Sequence, residues 1–120
     1  MVNKSNVMAV WTCSVDGATP KQVWNTTDGT LTDGAGNTIT TPPKYRRLEM
    51  CNCDSALRLL YMVRKSSASG ATHRVSSTKY FALAPYETRV FDDIDPDMEI
   101  TLMNNSGTTT TSNVTVAAYG

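Results

Sequence analysis

Apolar and polar side chains alternate with a period of two along most of this chain. Residues 6–15 read "NVMAVWTCSV" and place Val7, Ala9, Trp11 and Cys13 on one side. Residues 98–103, "MEITLM", and the C-terminal "VTVAAY" alternate in the same way. Such alternation over four to eight residues is typical of a β-strand with one covered face. The pattern therefore predicts strands near both ends of the chain.

Turn-forming residues separate the alternating runs. Asp-Gly pairs stand at 16–17, 28–29 and 33–34, and this dipeptide favours tight hairpin turns. The stretch 28–40, "DGTLTDGAGNTIT", predicts a small peripheral hairpin whose Leu31 and Ile39 contact the larger body. A calcium loop is the alternative for this stretch. Such a loop needs alternating carboxylates and a later bidentate glutamate, and neither is present here.

One apolar stretch fits two kinds of element. Residues 54–65, "DSALRLLYMVRK", form an apolar stripe as a helix capped by Asp54 or Ser55, and they alternate as a strand. We favour the strand, because the sequence on both sides also indicates strands and turns. Residues 73–84, "HRVSSTKYFALA", are predicted to return as the next strand.

Composition agrees with an all-β protein. The 120 residues are 40% hydrophobic and only 18% charged, and the abundance of threonine, serine and asparagine suits exposed strand faces and turns. We predict one domain over residues 1–120. Its fold class is an antiparallel β-sandwich of about seven or eight strands with Ig-like or jelly-roll connections, plus the peripheral Asp-Gly hairpin near residues 28–40.

Charge gives no reason to expect nucleic acid or a membrane as a partner. Eleven basic residues balance eleven acidic ones, so no strong field attracts polyanions. A basic patch at 44–47, "KYRR", is small, and its two arginines point to opposite faces of a strand. The N-terminus lacks the apolar core of a signal peptide, so we expect synthesis in a cytoplasmic compartment.

The most acidic stretch, residues 82–97, holds five carboxylates within eleven residues. A metal site or paired catalytic carboxylates are the functional alternatives. We interpret the stretch as a strand, a turn and another strand, since aspartate and proline favour turns for backbone reasons. Glu99 is expected to lie across the turn from Arg89.

Cysteine and histidine add no recognisable catalytic set. Cys51 and Cys53 are two apart, and three cysteines are too few for a structural zinc site. We expect all three to be reduced, mostly buried, small hydrophobic residues. His73 stands beside a loop without a candidate nucleophile, so no catalytic residue, metal ligand or cofactor is predicted.

Two aromatic residues are candidate partner contacts. Trp24 lies in a short polar strand next to the predicted hairpin, and Tyr45 lies within the basic patch. Tryptophan and tyrosine are enriched at interfaces because they combine a large apolar body with a polar tip. Core packing is the alternative for Trp24.

The order of parts from residue 44 onward resembles the small β-sandwich proteins of tailed-bacteriophage virions. The similarity rests on the strand end at Asn52, the corner Leu83–Thr88, "LAPYET", and the strand and Ser/Gly turn from Ile100 through Gly107. Tyr86 stands where a glycine is usual in that corner. The resemblance covers about two thirds of the chain and concerns structure, not catalysis.

This resemblance implies a non-enzymatic virion protein, made in the host cytoplasm. Its implied role is that of a capsid decoration or cement protein, which stabilises the head through contacts with the major capsid protein and with symmetric copies of itself, as a homotrimer. The alternatives are a carbohydrate- or receptor-binding module of a phage fibre, and a head–tail or tail accessory protein.

Overall fold

The computed structural model describes residues 7–25, 31–32, 38–39, 47–65, 74–92 and 98–119. These residues form ten β-strands and no helix. The strands are β1 (Val7–Val15), β2 (Lys21–Asn25), β3 (Leu31–Thr32), β4 (Thr38–Ile39), β5 (Arg47–Asn52), β6 (Leu59–Lys65), β7 (Phe81–Leu83), β8 (Thr88–Asp92), β9 (Met98–Asn104) and β10 (Ser112–Tyr119).

Eight of the strands form two four-stranded sheets. Sheet A has the order β1-β10-β5-β8 and sheet B the order β2-β9-β6-β7. Every pairing among the described strands is antiparallel. The predicted all-β sandwich of seven or eight strands is therefore confirmed.

The connectivity decides between the two predicted topologies. Setting the small hairpin aside, the pairs are β1 with β10, β2 with β9, β5 with β8, and β6 with β7. Each pair is nested within the previous one along the chain, as in a single antiparallel ribbon that has been wrapped into two layers. This arrangement is the eight-stranded jelly roll.

The predicted hairpin near residues 28–40 is also confirmed. β3 and β4 pair with Leu31 opposite Ile39 and Thr32 opposite Thr38. The pair joins neither four-stranded sheet among the described residues, which agrees with a peripheral position.

The inward faces of both sheets make the main core, as the alternating pattern predicts. In β5 the even positions are buried and the odd positions are half-exposed. Phe91 of sheet A meets Tyr61 of sheet B edge to face, with 5.9 Å between the ring centroids. The buried core residues are Cys13, Val15, Leu48, Met50, Leu59, Tyr61, Leu83, Ile100, Leu102, Val114 and Val116.

Two strand predictions need correction. The stretch 73–84 is a strand only at Phe81–Leu83, whereas residues 74–80, here called the cover segment, carry only an isolated bridge from Ser76 to Lys79. The preference for a strand over a helix in residues 54–65 is confirmed, but this strand starts only at Leu59. Asp54 accepts hydrogen bonds from the backbone of Ala56 and Leu57, and this local turn delays the strand.

Candidate functional site

The described part of the structure does not test the two predicted partner contacts, Trp24 and Tyr45. Tyr45 lies outside the described residues, and so does the side chain of Trp24. The backbone of Trp24 is placed in β2, opposite Ile100 of β9. Their role as partner contacts therefore stays a prediction.

The outer face of sheet A, here called the open face, presents side chains to solvent in cross-strand rows. One row reads Val10, Ala117, Glu49 and Val90, and the next reads Thr12, Thr115, Cys51 and Thr88. Val10 is 60% exposed and Val90 is 38% exposed. Small and β-branched side chains dominate these two rows, and Glu49 is the one charged residue in them.

A compact polar cluster closes one end of the open face. Arg47 Nη2 donates to Glu49 Oε1 at 2.9 Å, and the Tyr119 hydroxyl donates to Glu49 Oε2 at 3.1 Å. The Arg47 guanidinium lies 5.7 Å from the centre of the Tyr119 ring. Hydrogen bonding to Glu49 and then burial raise the pKa of Tyr119. The charges of Arg47 and Glu49 offset each other, so the cluster adds little net charge.

The outer face of sheet B is closed by the cover segment. The Arg74 guanidinium pairs with Glu99 at 3.1 Å, and the backbone N–H of Val75 donates to Thr101 Oγ1 at 2.9 Å. Val75 of the segment packs with Leu60 and Met103 of sheet B in a second apolar cluster. β9 is therefore buried on both faces, although its sequence alternates like a strand with one face in water.

The predicted pairing of Glu99 with Arg89 is wrong. Arg89 belongs to β8 in sheet A, whereas Glu99 belongs to β9 in sheet B. β8 and β9 are consecutive along the chain, yet they lie in different sheets and do not pair with each other. Glu99 is 1% exposed and faces Arg74.

Four loops meet at one end of the sandwich, here called the loop end. They comprise residues 16–20, 53–58, 84–87 and 105–111. Asn104, buried at the end of β9, donates through Nδ2 to the carbonyls of Val15 and Thr110 at 3.1 and 2.9 Å. Its Oδ1 accepts from the backbone N–H of Ser106 at 3.1 Å. This side chain thus fastens the first loop to the last.

Asn52 plays the same part for the other two loops. Its Nδ2 donates to the carbonyls of Leu57 and Ala84 at 2.9 and 3.2 Å. The Ala84–Glu87 corner closes with a backbone hydrogen bond of 3.0 Å. Tyr86 in this corner has φ of 63°, the left-handed conformation that a type II turn requires after proline. The tyrosine therefore occupies a position that favours glycine.

All three cysteines are free, as predicted, but only one is fully buried. Cys13 lies in the core, Cys51 is half-buried on the open face, and Cys53 is exposed. Burial raises the pKa of the Cys13 thiol to about 11. Cys53 follows the end of β5, and its Sγ lies 3.2 Å from Thr115 Oγ1.

The acidic stretch is structural as far as it is described. Glu87 Oε1 accepts the backbone N–H of Ala84 at 3.3 Å, and Asp92 lies at the end of β8, 3.9 Å from Arg47 Nε. Residues 93–97 lie outside the described residues. Within the described ranges, no three His, Cys, Asp or Glu side chains come together as a metal site.

A pocket of about 220 Å³ lies beside the loop end, here called the loop-end pocket. The cover segment, the outer face of sheet B and the first and last loops border it, and it is open to solvent. Its described lining residues are Gly17, Leu60, Ser77, Tyr80, Met103, Asn104, Asn105 and Gly107. No local sequence pattern indicates this pocket, because it depends on the cover segment lying across the sheet.

Comparisons with known proteins add no identity. No family model, curated protein or solved structure matches this chain. In the part of the chain that the structure describes, no helix has the length and apolar character needed to cross a membrane.

Proposed function

We propose that this protein is a non-enzymatic phage virion component, a capsid decoration or cement protein. It stabilises the head through contacts between its open face and the major capsid protein, and it assembles with symmetric copies of itself as a homotrimer. The observation that carries the proposal is the nested jelly-roll strand order together with an open outer sheet face.

The fold supports the proposal by analogy. Jelly rolls are common in viral capsid and lectin domains, although a fold by itself does not determine a function. The "LAPYET" corner, on which the resemblance to virion proteins rested, forms a type II turn held by Asn52.

The open face supports a docking role through its chemistry. Val10 and Val90 are exposed apolar side chains in the same cross-strand row. Arg47 and Glu49 beside them form an ion pair, with 2.9 Å between Nη2 and Oε1. Covering this face would bury apolar surface without stranding an unpaired charge, which is the condition for a stable contact.

The edge of β1 supports contact between copies. This strand has nine residues, and it contains neither a charged residue nor a proline. Natural edge strands commonly carry such residues, which prevent pairing with other chains. At the opposite edge of the sheet, β8 carries Arg89 and Asp92. We therefore assign the self-contacts of the trimer to the β1 side of the molecule.

Native mass spectrometry and sedimentation over a range of concentrations test the assembly. We expect a trimer that persists on dilution to micromolar concentration. A strict monomer at all concentrations would contradict the proposed self-association.

Binding to heads of the encoding phage that lack this protein tests the capsid contact. We expect saturable binding and a higher temperature of head disruption. Val10→Arg on the open face should weaken binding at least tenfold, whereas Ser55→Arg, which adds the same charge to an exposed loop-end position, should leave it unchanged. Equal binding by the two variants would refute the assigned face, and absence of binding by the unmodified protein would refute the cement function.

A further inference from the structure

We propose that the loop-end pocket binds one ring of a neutral saccharide. This inference is independent of the proposed virion role, because the pocket lies on the side of sheet B and the proposed capsid contact lies on sheet A.

The floor of the pocket is apolar and small. Leu60 and Met103 are each 5% exposed and pack against Val75 of the cover segment. The volume of about 220 Å³ is below the roughly 300–1,000 Å³ of pockets that take drug-sized ligands. The pocket therefore accommodates a single small ring, with the rest of a longer ligand in solvent.

Tyr80 supplies an aromatic wall. Its side chain is 48% exposed, and among the described residues no hydrogen bond or ring contact engages it. A pyranose ring has an apolar face of C–H groups, which packs against an aromatic ring, and hydroxyl groups at its periphery. An exposed tyrosine beside an apolar floor matches the first of these features, because its ring is large, rigid and apolar.

Polar groups at the rim match the hydroxyl groups. Two hydrogen bonds to Arg58 hold Asn105 in place. The side-chain Oδ1 of Asn105 accepts the backbone N–H of Arg58 at 3.0 Å, and the backbone N–H of Asn105 donates to the Arg58 carbonyl at 3.2 Å. Its Nδ2 donors remain available for a ligand, and Ser77, whose side chain carries a hydroxyl, also lines the pocket. A fixed amide loses little conformational entropy on binding, which favours affinity.

The charge of the pocket selects against ionic ligands. None of its eight described lining residues is charged. A phosphate or an ammonium group would lose hydration on entry and gain no opposite charge in return. The Asn104 amide is already satisfied by Val15, Thr110 and Ser112, so it forms a wall and does not recognise the ligand. Together these features favour an uncharged, amphipathic ring.

An NMR titration tests the site with defined probes. The probes are the methyl glycosides of glucose, galactose and mannose, together with N-acetylglucosamine; adenosine and uridine serve as neutral planar rings of another class. We expect at least one sugar to give saturable shifts, with a Kd on the order of 1 mM. The shifts should centre on the Asn105 side-chain amide and the backbone N–H groups of Ser77 and Gly107.

Two variants and a matched control make the assignment specific. Tyr80→Ala should weaken binding at least tenfold, whereas Tyr86→Ala removes an exposed tyrosine that does not line the pocket and should not weaken it. Asn105→Asp keeps the acceptor for the Arg58 N–H but loses the amide donors, so it should also weaken binding about tenfold. Dispersed spectra of each variant establish that it is folded.

Three results would overturn the proposal. The first is the lack of a saturable shift with every sugar, and the second is a set of shifts that map away from the pocket. The third is binding of adenosine or uridine in the pocket without binding of any sugar. Unchanged sugar affinity in a folded Tyr80→Ala protein would equally refute the role of the aromatic wall.

Discussion

At the residue scale, two buried asparagines hold the loops of the loop end together. Asn52 and Asn104 each stand where a hydrophobic residue would continue the inward-facing series of a strand, and each is 1% exposed. A buried amide is tolerated only when its donors and acceptor are paired. Both side chains pair with backbone groups of neighbouring loops, so they determine how the loop end is assembled.

Replacing Asn104 by aspartate should destabilise the protein by about 3 kcal/mol or more. The isosteric carboxylate keeps the acceptor for Ser106 but faces the carbonyl oxygens of Val15 and Thr110 without a hydrogen to donate. Urea unfolding measures the change in the free energy of unfolding. Asn113→Asp, at an exposed position of β10, is the matched control and should change it by less than about 0.5 kcal/mol.

Cys13 makes stability depend on pH in the alkaline range. Its pKa rises from 9.0 to about 11 on folding because the thiolate would be desolvated. The unfolded chain releases this proton at lower pH than the folded chain. The stabilisation is therefore fully present below about pH 9 and is lost as the pH rises toward about 11.

The stability lost through Cys13 between pH 8 and pH 11 should be on the order of 2 kcal/mol. We expect the free energy of unfolding, measured in urea between pH 8 and pH 11, to fall less steeply in Cys13→Ala than in the unmodified protein. Cys53→Ala, at an exposed site, should keep the original slope. Identical slopes in all three proteins would contradict the assignment.

At the scale of elements, the cover segment is what distinguishes the two sheets. It buries Leu60 and Met103, and no segment among the described residues covers the outer face of sheet A in the same way. Two polar contacts position it, from Arg74 to Glu99 and from Val75 to Thr101. Glu99 is almost fully buried, and a buried carboxylate requires pairing of this kind to offset its loss of hydration.

Thr101→Val should loosen the cover segment without unfolding the sandwich. The substitution keeps the shape of the side chain but removes the acceptor for the Val75 N–H, at a cost of about 1–2 kcal/mol. Hydrogen exchange of the Val75 amide should become at least tenfold faster, while amides of β10 stay protected. The same change at exposed Thr12 of the open face should not alter exchange at Val75, and unchanged exchange in Thr101→Val would exclude the anchoring role.

At the scale of the whole molecule, the nested ribbon makes the chain ends interdependent. β10 is the last strand in sequence, yet it lies inside sheet A between β1 and β5. Two of the three strand pairings in that sheet therefore cannot form until the last strand is present. Pairings between such distant segments slow folding, because loop closure precedes the stabilising contacts.

Deleting residues 112–120 should abolish cooperative folding. The deletion removes Val114 and Val116 from the core and leaves β1 without its described partner. Circular dichroism during heating should show no cooperative transition for chain 1–111, and a peptide of residues 112–120 should restore part of it. A scrambled peptide is the control, and a cooperative transition in the truncated chain alone would refute the central role of β10.

Much of this fold was predictable from local sequence. The period-two pattern identified β1, β9 and β10, because a strand places alternate side chains on opposite sides. Asp-Gly chemistry identified the hairpin of β3 and β4. The pattern wrongly predicted a strand at residues 74–80. In the structure this segment is not a strand, and its apolar Val75 packs against the outer face of sheet B.

The candidate sites were less predictable. The open face was implicit in the outward residues of β1, β5 and β10, but the loop-end pocket joins residues 17, 60, 77 and 105, which no local pattern connects. The roles of Asn52 and Asn104 likewise depend on carbonyl groups that the fold brings from distant loops.

By itself, the sequence determined that this protein is a two-layer β structure and which side of most strands faces inward, since these properties follow from side-chain alternation and turn chemistry. Only the tertiary structure decided the jelly-roll order, the covering of one sheet and the partner of Glu99. The physical reason is that local rules specify each strand separately, whereas long-range packing selects which strands become neighbours and which outer face remains in water.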